Sequence, residues 1–177
     1  KDIMDGNVVI QEKLDGSQFS FALNDAGDLE LASRSAQVFI ENPDKMFMKA
    51  VTHLKSIASL LTPGFIYRGE YLAKQRHNVL AYDRAPNNNI VIFDIEDTNK
   101  NFYLSPEEMK VEAARIGLEC MPVLYAGNGK LVSLDNIQKF IEYYLNSISL
   151  APYVSGMAQP KLNQRALNNI PVPKVNE

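Results

Sequence analysis

The chain has 177 residues, 46% of them hydrophobic, and a formal net charge of -3. This length and composition predict one globular, soluble domain with a sizeable core and room for a small appendage. No apolar run approaches the roughly 20 residues that span a bilayer, and the first residues lack the apolar segment of a signal peptide. We therefore expect an intracellular, cytoplasmic protein that is neither secreted nor bound to a membrane.

The mild negative charge and the single cysteine limit the kinds of site that the chain can carry. Proteins that neutralise many phosphates usually have a basic excess, so any contact with nucleic acid must come from a local patch. Cys120 cannot form an internal disulfide, and with only His53 and His77 it makes a poor structural zinc site. We expect Cys120 to be a small buried apolar residue.

The first 35 residues predict an antiparallel meander. Apolar residues 8–10 indicate a strand that runs toward the turn-forming pair at 15–16. Residues 19–23 alternate between apolar and small or polar side chains, as in a second strand. Residues 24–28 are typical of a turn, and the alternation resumes over residues 29–31.

Later segments predict a mixture of helices and strands. In chain order they are a helix that begins at Asn42-Pro43 and ends at 62–64, strands over 65–71 and 90–95, a helix opened by the capping box of Ser105 and Glu108 and closed by Gly117, a strand over 120–125, and a helix from Ser133 to 145. The order shows no regular βαβ repeat. It predicts an α+β fold with mainly antiparallel sheets and flanking helices.

Lys13 is the candidate nucleophile. It lies at the end of the first predicted strand, and the turn at Asp15-Gly16 would aim its amine into a cleft between sheets. A lysine amine attacks phosphorus only when it is unprotonated, a state favoured by burial or by neighbouring cations such as a metal ion or Arg34. Alone, the pattern is weak, because a surface lysine before a turn is far commoner.

The wider context of Lys13 is more specific. Residues 12–16 resemble the nucleophile motif of DNA ligases, RNA ligases and capping enzymes, the covalent nucleotidyltransferase superfamily. Three later segments are similar to further motifs of that superfamily, in the expected order: Ser33-Arg34, 67–71 and 90–95. The run over 72–97, with Lys74, Arg76, His77, Asn78 and Tyr82, looks more like RNA ligases and RNA-editing ligases than DNA ligases. The resemblance to ATP-dependent RNA ligases covers residues 5–130.

This resemblance implies a nucleotidyltransferase (ATP-grasp-like ligase) core that uses ATP and Mg²⁺. Lys13 would take AMP from ATP and pass it to the 5′-phosphate end of a nucleic acid. A 3′-hydroxyl would then displace the AMP and seal the strand. RNA ends are favoured as the substrate, and DNA is possible. Arg34 would contact substrate, Glu70 would hold the ribose and Phe93 would stack on the purine. The full set of residues that would bind the nucleotide is Glu12, Asp15, Gly16, Arg34, Glu70 and Phe93.

The ligands of the metal are not assigned by the resemblance. Asp94 and Asp97 could help to hold a cation, because carboxylates are the ligands that Mg²⁺ prefers. Aspartates at strand ends more often form turns, which is the simpler interpretation of both. Phe93 would be a core residue by pattern alone, and the two roles are compatible, because a purine site needs a rigid aromatic wall.

Two later motifs of the superfamily are not found in the last third of the chain. Ser155 stands where a glutamate is expected, and Lys161 or Lys174 would have to replace a strand with two lysines. Residues 137–177 instead resemble the end of a target recognition domain from a type I restriction specificity subunit. The end of the chain at Glu177 then suggests a truncated product, a fusion or a piece of a longer protein.

These features predict a core over 1–132, incomplete for the superfamily, and a second part over 133–177. The second part would be a helix with a proline-containing tail, either like the restriction subunit or a degenerate end of the ligase. The main hypothesis is an RNA ligase-like nucleotidyltransferase. The alternative is a catalytically impaired ligase remnant that binds nucleotide or nucleic acid, joined to a DNA-recognition tail.

Overall fold

The computed structural model describes residues 5–34, 36–82 and 84–132. Ten helices and strands within these ranges, in chain order, are β1 (Asn7–Gln11), β2 (Ser17–Leu23), β3 (Leu29–Ser33), α1 (Met48–Ile57), β4 (Phe65–Tyr71), β5 (Ile90–Asp97), β6 (Phe102–Tyr103), α2 (Pro106–Arg115), β7 (Glu119–Cys120) and β8 (Val123–Asn128). Short 3-10 turns over 58–60, 87–89 and 129–131 complete the regular structure of this part of the chain. The helix predicted from Ser133, the tail and the boundary at 132 lie outside the described residues.

The strands form two sheets, which confirms the predicted α+β class with mainly antiparallel pairing. The larger sheet has the order β3-β2-β4-β5-β6, with β7 added parallel to β5. The smaller sheet pairs β1 with β8 in antiparallel register. The predicted meander is therefore wrong for its first strand, since β1 joins β8 and only β2 and β3 form a hairpin.

The chain crosses between the two sheets at residues 12–16. Glu12 still donates its backbone N–H to Pro122 O at 3.0 Å, so it follows β8 to the end of the smaller sheet. Gly16 then packs against β4, where an added Cβ would lie 2.4 Å from Tyr71 O. Only glycine fits this close approach of two backbones. The turn that was predicted to close a hairpin instead moves the chain from one sheet to the other.

A second crossing explains why the single strand predicted over 120–125 is two strands. Met121 donates its backbone N–H to Ile92 O of the larger sheet at 2.7 Å. Pro122 has no N–H and cannot continue that ladder. β8 begins at Val123 on the smaller sheet, so the two crossings lie beside each other.

Helix α1 begins later than its sequence signal. The chain forms a turn before it, in which Phe47 donates its backbone N–H to Asp44 O at 2.8 Å. Tyr71 donates its hydroxyl to Met46 O, and the Phe47 ring stacks on Phe19 at 5.2 Å between centroids. These core contacts hold the turn in place, and the helix begins at Met48 rather than at Asn42.

Several locally encoded features agree with their predictions. β4 spans Phe65–Tyr71 as predicted, and β5 begins at Ile90 but continues to Asp97. Ser105 and Glu108 form the reciprocal capping box of α2, and Gly117 follows the helix with φ +75°. Within the described ranges, no helix is long and apolar enough to cross a membrane.

The buried residues form two clusters. The larger one lies between the larger sheet and the two helices and includes Phe19, Phe21, Leu54, Tyr67 and Ile95. The smaller one lies where the two crossings meet and consists of Leu14, Leu72, Tyr82, Val91 and Met121, with Leu80 and Phe93 packed against it. This second cluster supports the cavity described next.

Candidate active site

A cavity of about 440 Å³ lies beside the two crossings. Its walls come from the end of β1, the first crossing, β2, β4, β5 and the second crossing. The lining residues are Gln11, Glu12, Lys13, Leu14, Gln18, Glu70, Phe93 and Met121. Four residues predicted from sequence therefore meet around one cavity, although they are separated by up to 81 positions in the chain.

Lys13 is exposed at the edge of this cavity. The charges that interact with it electrostatically are the carboxylates of Asp15 and Glu70. Arg34, which was expected to help as a nearby cation, is exposed directly after β3 and is not among the lining residues. Within the described part of the chain, the charged groups identified beside Lys13 are therefore acidic.

Asp15 fixes the turn that follows the lysine. Its Oδ2 accepts hydrogen bonds from the backbone N–H groups of Val79 at 2.8 Å and Leu80 at 2.9 Å, and its Oδ1 accepts from Asn78 Nδ2 at 3.4 Å. The hydrogen bond from the backbone of Leu80 contributes most to lowering the pKa of Asp15. Neither Asp15 nor Gly16 lines the cavity. Their contacts instead hold the segment that carries Lys13.

Glu70 links this turn to the larger sheet. Its Oε1 accepts the backbone N–H of Gly16 at 3.1 Å, while Asn78 Nδ2 donates to Gly16 O at 2.8 Å. Burial raises the pKa of Glu70, and the charge of Lys13 and the bond from Gly16 oppose that rise. The Glu70 carboxylate thus lies in the cavity close to Lys13.

Glu12 has an unusual environment for a carboxyl group. Both of its carboxyl oxygens are buried and have no hydrogen-bond partner among the described residues. Burial raises the pKa of Glu12 to about 7. A buried acceptor without a partner costs free energy, and a ligand that donates a hydrogen bond in the cavity would relieve that cost.

Phe93 enters the cavity because of an irregularity in the sheet. The register of β4 with β5 shifts, so that Gly69 opposes Ile92 and Arg68 opposes Asp94. Phe93 is the extra residue of this bulge, and a bulge re-aims the side chain that it carries. The half-buried ring packs against the smaller cluster. It forms an apolar wall with Leu14 and Met121.

The loop from Ala73 to Tyr82 supports the site in a way that sequence reasoning missed. Ala73 donates its backbone N–H to His77 Nδ1 at 3.0 Å, so the ring proton lies on Nε2, which donates to Ser17 Oγ at 2.9 Å. Tyr82 accepts the backbone N–H of Asp15 on its hydroxyl at 2.7 Å, and burial raises its pKa to about 12. The only signal in the sequence was the resemblance of residues 72–97 to RNA ligases.

The other candidate residues lie apart from the cavity or have local roles. Among the described residues, no three His, Cys, Asp or Glu side chains come together as potential metal ligands. Asp97 accepts from the backbone N–H groups of Asn99 and Lys100, which is the turn role expected of it, and Asp94 is half-buried opposite Arg68 on β4. Cys120 is partly buried, and burial raises its pKa to about 11.

The sequence matches a family model described as RNA ligase over residues 6–166. The fold resembles solved mutants of the RNA ligase of Naegleria gruberi. One with ATP and Mn has a TM-score of 0.58 at 16% identity and covers 76% of this chain and 40% of that one. An apo mutant has a TM-score of 0.59 at 15% identity and the same two coverages. A mutant with AMP and Mn has a TM-score of 0.55 at 16% identity and covers 71% of this chain and 38% of that one.

These likenesses confirm the predicted ligase nucleotidyltransferase fold, and at such identities they show the fold alone. The chain spans about 40% of the length of these solved ligases. No curated protein matches it. The family match continues to residue 166, into the segment that resembles a restriction specificity subunit, and none of the comparisons supports that second resemblance.

Proposed function

This chain belongs to the RNA ligase family, and from that premise we propose that it is the adenylation domain of an ATP-dependent RNA ligase with Lys13 as its nucleophile. The observation that supports the proposal most is the shared cavity: Lys13, Glu12, Glu70 and Phe93 all line it. A reactive amine, two carboxylates and an aromatic wall are suited to a nucleotide whose phosphates reach Lys13. The ATP and AMP named with the solved N. gruberi mutants are consistent with this ligand.

The proposed reaction has three balanced steps. The unprotonated amine of Lys13 attacks the α-phosphorus of ATP and an N–P bond forms. Pyrophosphate leaves with the electrons of the broken P–O bond, and the nitrogen releases one proton to solvent. A 5′-phosphate oxygen of the RNA then attacks the same phosphorus, which frees Lys13 and joins AMP to the RNA end. A 3′-hydroxyl finally attacks that 5′-phosphate, the phosphodiester forms, and AMP leaves.

The cavity residues have distinct parts in this proposal. The two unpartnered oxygens of Glu12 would accept from the amino group of the base. Phe93 would stack on the base, and Glu70 would bind the ribose while it holds Gly16 in place. Arg34, exposed outside the cavity, would contact the RNA substrate rather than the base. Asp15 and Gly16 would position Lys13 through the turn that they form directly after it.

A divalent cation, with Mg²⁺ as our proposal, would offset charge on the triphosphate during the first step. The described residues offer no cluster of three protein ligands for it. Such a cation is commonly held by phosphates, water and one or two carboxylates. We assign no protein ligand to it.

The comparisons favour the enzyme over an impaired binding module. Four of the residues named from the resemblance line one cavity, and the family match extends to residue 166. The segment in which the two later motifs were expected, which includes Ser155, lies outside the described residues. RNA, rather than DNA, is the proposed substrate because the matched family is that of RNA ligases.

Intact mass measurement tests the proposal directly. After incubation with ATP and Mg²⁺, the protein should gain one AMP, about 329 Da, through covalent catalysis by Lys13. Lys13→Ala should show no gain. Lys49→Ala, which removes an exposed lysine of α1, should gain the same mass as the natural chain.

An adduct that persists in Lys13→Ala would contradict Lys13 as the nucleophile. Folded natural chain that is free of AMP when purified, and that still forms no adduct, would contradict an active adenylation domain in these 177 residues.

A further inference from the structure

The loop over 73–82 is basic, although the whole chain has a net charge of -3. It contains Lys74, Arg76 and His77 and no acidic residue. The side chains of Lys74 and Arg76 belong to exposed residues, and neither forms an ion pair in the described part of the chain. Two cations are thus available to a partner at the surface.

Hydrogen bonds hold this loop in a fixed position beside the nucleophile. Its tip is tied to Asp15 by the backbone N–H groups of residues 79 and 80, and to Gly16 by Asn78. Its two arms face each other, with Tyr82 N donating to Gln75 O at 3.0 Å and Arg76 bridged to Ala81. The cations are therefore carried on an ordered hairpin-like loop, which lowers the entropic cost of using them.

The position of Lys74 and Arg76 separates them from the nucleotide cavity. Neither lines that cavity, whereas Lys13 does. Burial lowers the pKa of His77 and the nearby charge of Lys74 lowers it further, so Lys74 lies close to that ring. His77 in turn contacts Ser17 at the start of β2. Arg34 is exposed at the same end of the sheet, after the residue that pairs with Phe19 of β2.

We propose that Lys74 and Arg76 form a phosphate-contact site for the RNA strand that approaches Lys13. The inference rests on the proposed function, because that function supplies the strand. Exposed Lys and Arg side chains on an ordered backbone are typical of contacts that position a nucleic acid through its phosphates, without reading its sequence. Their place outside the cavity favours strand phosphates over the triphosphate of ATP.

The site can be tested by binding, without any chemistry at Lys13. A short 5′-phosphorylated single-stranded RNA with a 3′ fluorophore is titrated with the natural chain and with a Lys74→Ala/Arg76→Ala variant. We expect the variant to bind about tenfold more weakly at about 50 mM salt. Because two contacts are removed, the slope of log affinity against log salt should become shallower by about 1.4.

Two further double variants control for charge and side-chain identity. Lys49→Ala/Lys110→Ala removes two exposed cations from α1 and α2 and changes the net charge by the same amount, and it should bind RNA like the natural chain. Lys74→Arg/Arg76→Lys keeps the charge of the site and should retain most of the affinity. Circular dichroism melts of all variants show whether each is folded.

Three outcomes would overturn the site. They are RNA affinity unchanged in Lys74→Ala/Arg76→Ala, an equal loss in Lys49→Ala/Lys110→Ala, and a loss of ATP affinity as large as the loss of RNA affinity. The last would assign both cations to the triphosphate. A protein that binds RNA through the loop but forms no adduct with ATP would contradict the proposed function while supporting the site.

Discussion

At the scale of single residues, Glu12 shows how a site can be prepared at the expense of stability. Its carboxyl oxygens are buried without partners in the described structure, and burial raises its pKa to about 7. Because the pKa of Glu12 is raised in the folded state, the protein has its full stability with respect to this group below the unfolded pKa of 4.5. That stability is lost as the pH rises through about 7, where the buried group ionises. If the proposed function holds, a bound nucleotide would supply a hydrogen-bond partner to Glu12.

Glu12→Gln should therefore stabilise the free protein at pH 8 and not at pH 4.5. Glutamine cannot ionise, so the gain at the higher pH should be about 1–3 kcal/mol, up to the size of the pKa shift. Urea unfolding at the two pH values measures it. Glu30→Gln, at an exposed position on β3, is the matched control and should change little. A variant that is less stable than the natural chain at pH 8 would show that Glu12 has a partner there.

At the scale of elements, the loop over 73–82 contacts residues 15–17 and so holds the segment that carries Lys13, the proposed nucleophile. His77 supports it only when neutral, since Nδ1 must accept from Ala73. Burial lowers the pKa of His77, with Asp15 raising it and Lys74 lowering it. A histidine whose pKa is lowered by folding makes its full contribution to the free energy of unfolding above the pKa of the unfolded state, about 6.5. That contribution is lost as the pH falls below this value.

His77→Ala should slow the gain of AMP by about tenfold at pH 7.5, because the segment carrying Lys13 would lose one of its supports. It should also reduce the loss of stability below pH 6.5. His53→Ala is the control: burial lowers the pKa of His53 as well, but that residue lies on α1. It should reduce the same stability loss and leave the rate of adenylylation unchanged. Equal rates in both variants would contradict the positioning role of the loop.

At the scale of the whole molecule, the smaller cluster packs the two crossings against β5 of the larger sheet. Leu14 lies at its centre with 1% exposure, directly between Lys13 and Asp15. The cluster also contains Leu72, which directly precedes the loop, and Met121 of the second crossing. Leu14, Met121 and Phe93 also line the cavity, so the cluster is continuous with the wall of the cavity.

Leu14→Ala should destabilise the protein by about 2–5 kcal/mol, the usual cost of a cavity in a core. It should also weaken ATP binding, because the cavity loses part of its wall. Denaturant unfolding and ATP titration measure the two effects. Leu60→Ala makes the same chemical change at a residue that is 45% exposed, and it should cost less than about 0.5 kcal/mol. Similar stability of the two variants would contradict the role of the cluster.

Local physics in the sequence determined much of the fold. β4 and the start of β5, the capping box of α2 and the glycine after that helix depend on residues within a few positions of each other, and all were predicted. The residues around the cavity were also named from the sequence, through their resemblance to a known family. Glu12, Lys13, Glu70 and Phe93 line one cavity, and their roles in it stay predictions.

Tertiary structure alone decided the pairing of β1 with β8, the late start of α1 and the packing of the 73–82 loop on Asp15. Each depends on partners far away in the chain: β1 and β8 are over 100 positions apart, and His77 is 60 positions from Ser17. Short-range periodicity carries no information about such partners, because strand pairing and burial depend on what the rest of the chain brings to the same place. For the same reason the sequence named Lys13, but only the folded chain showed what holds it.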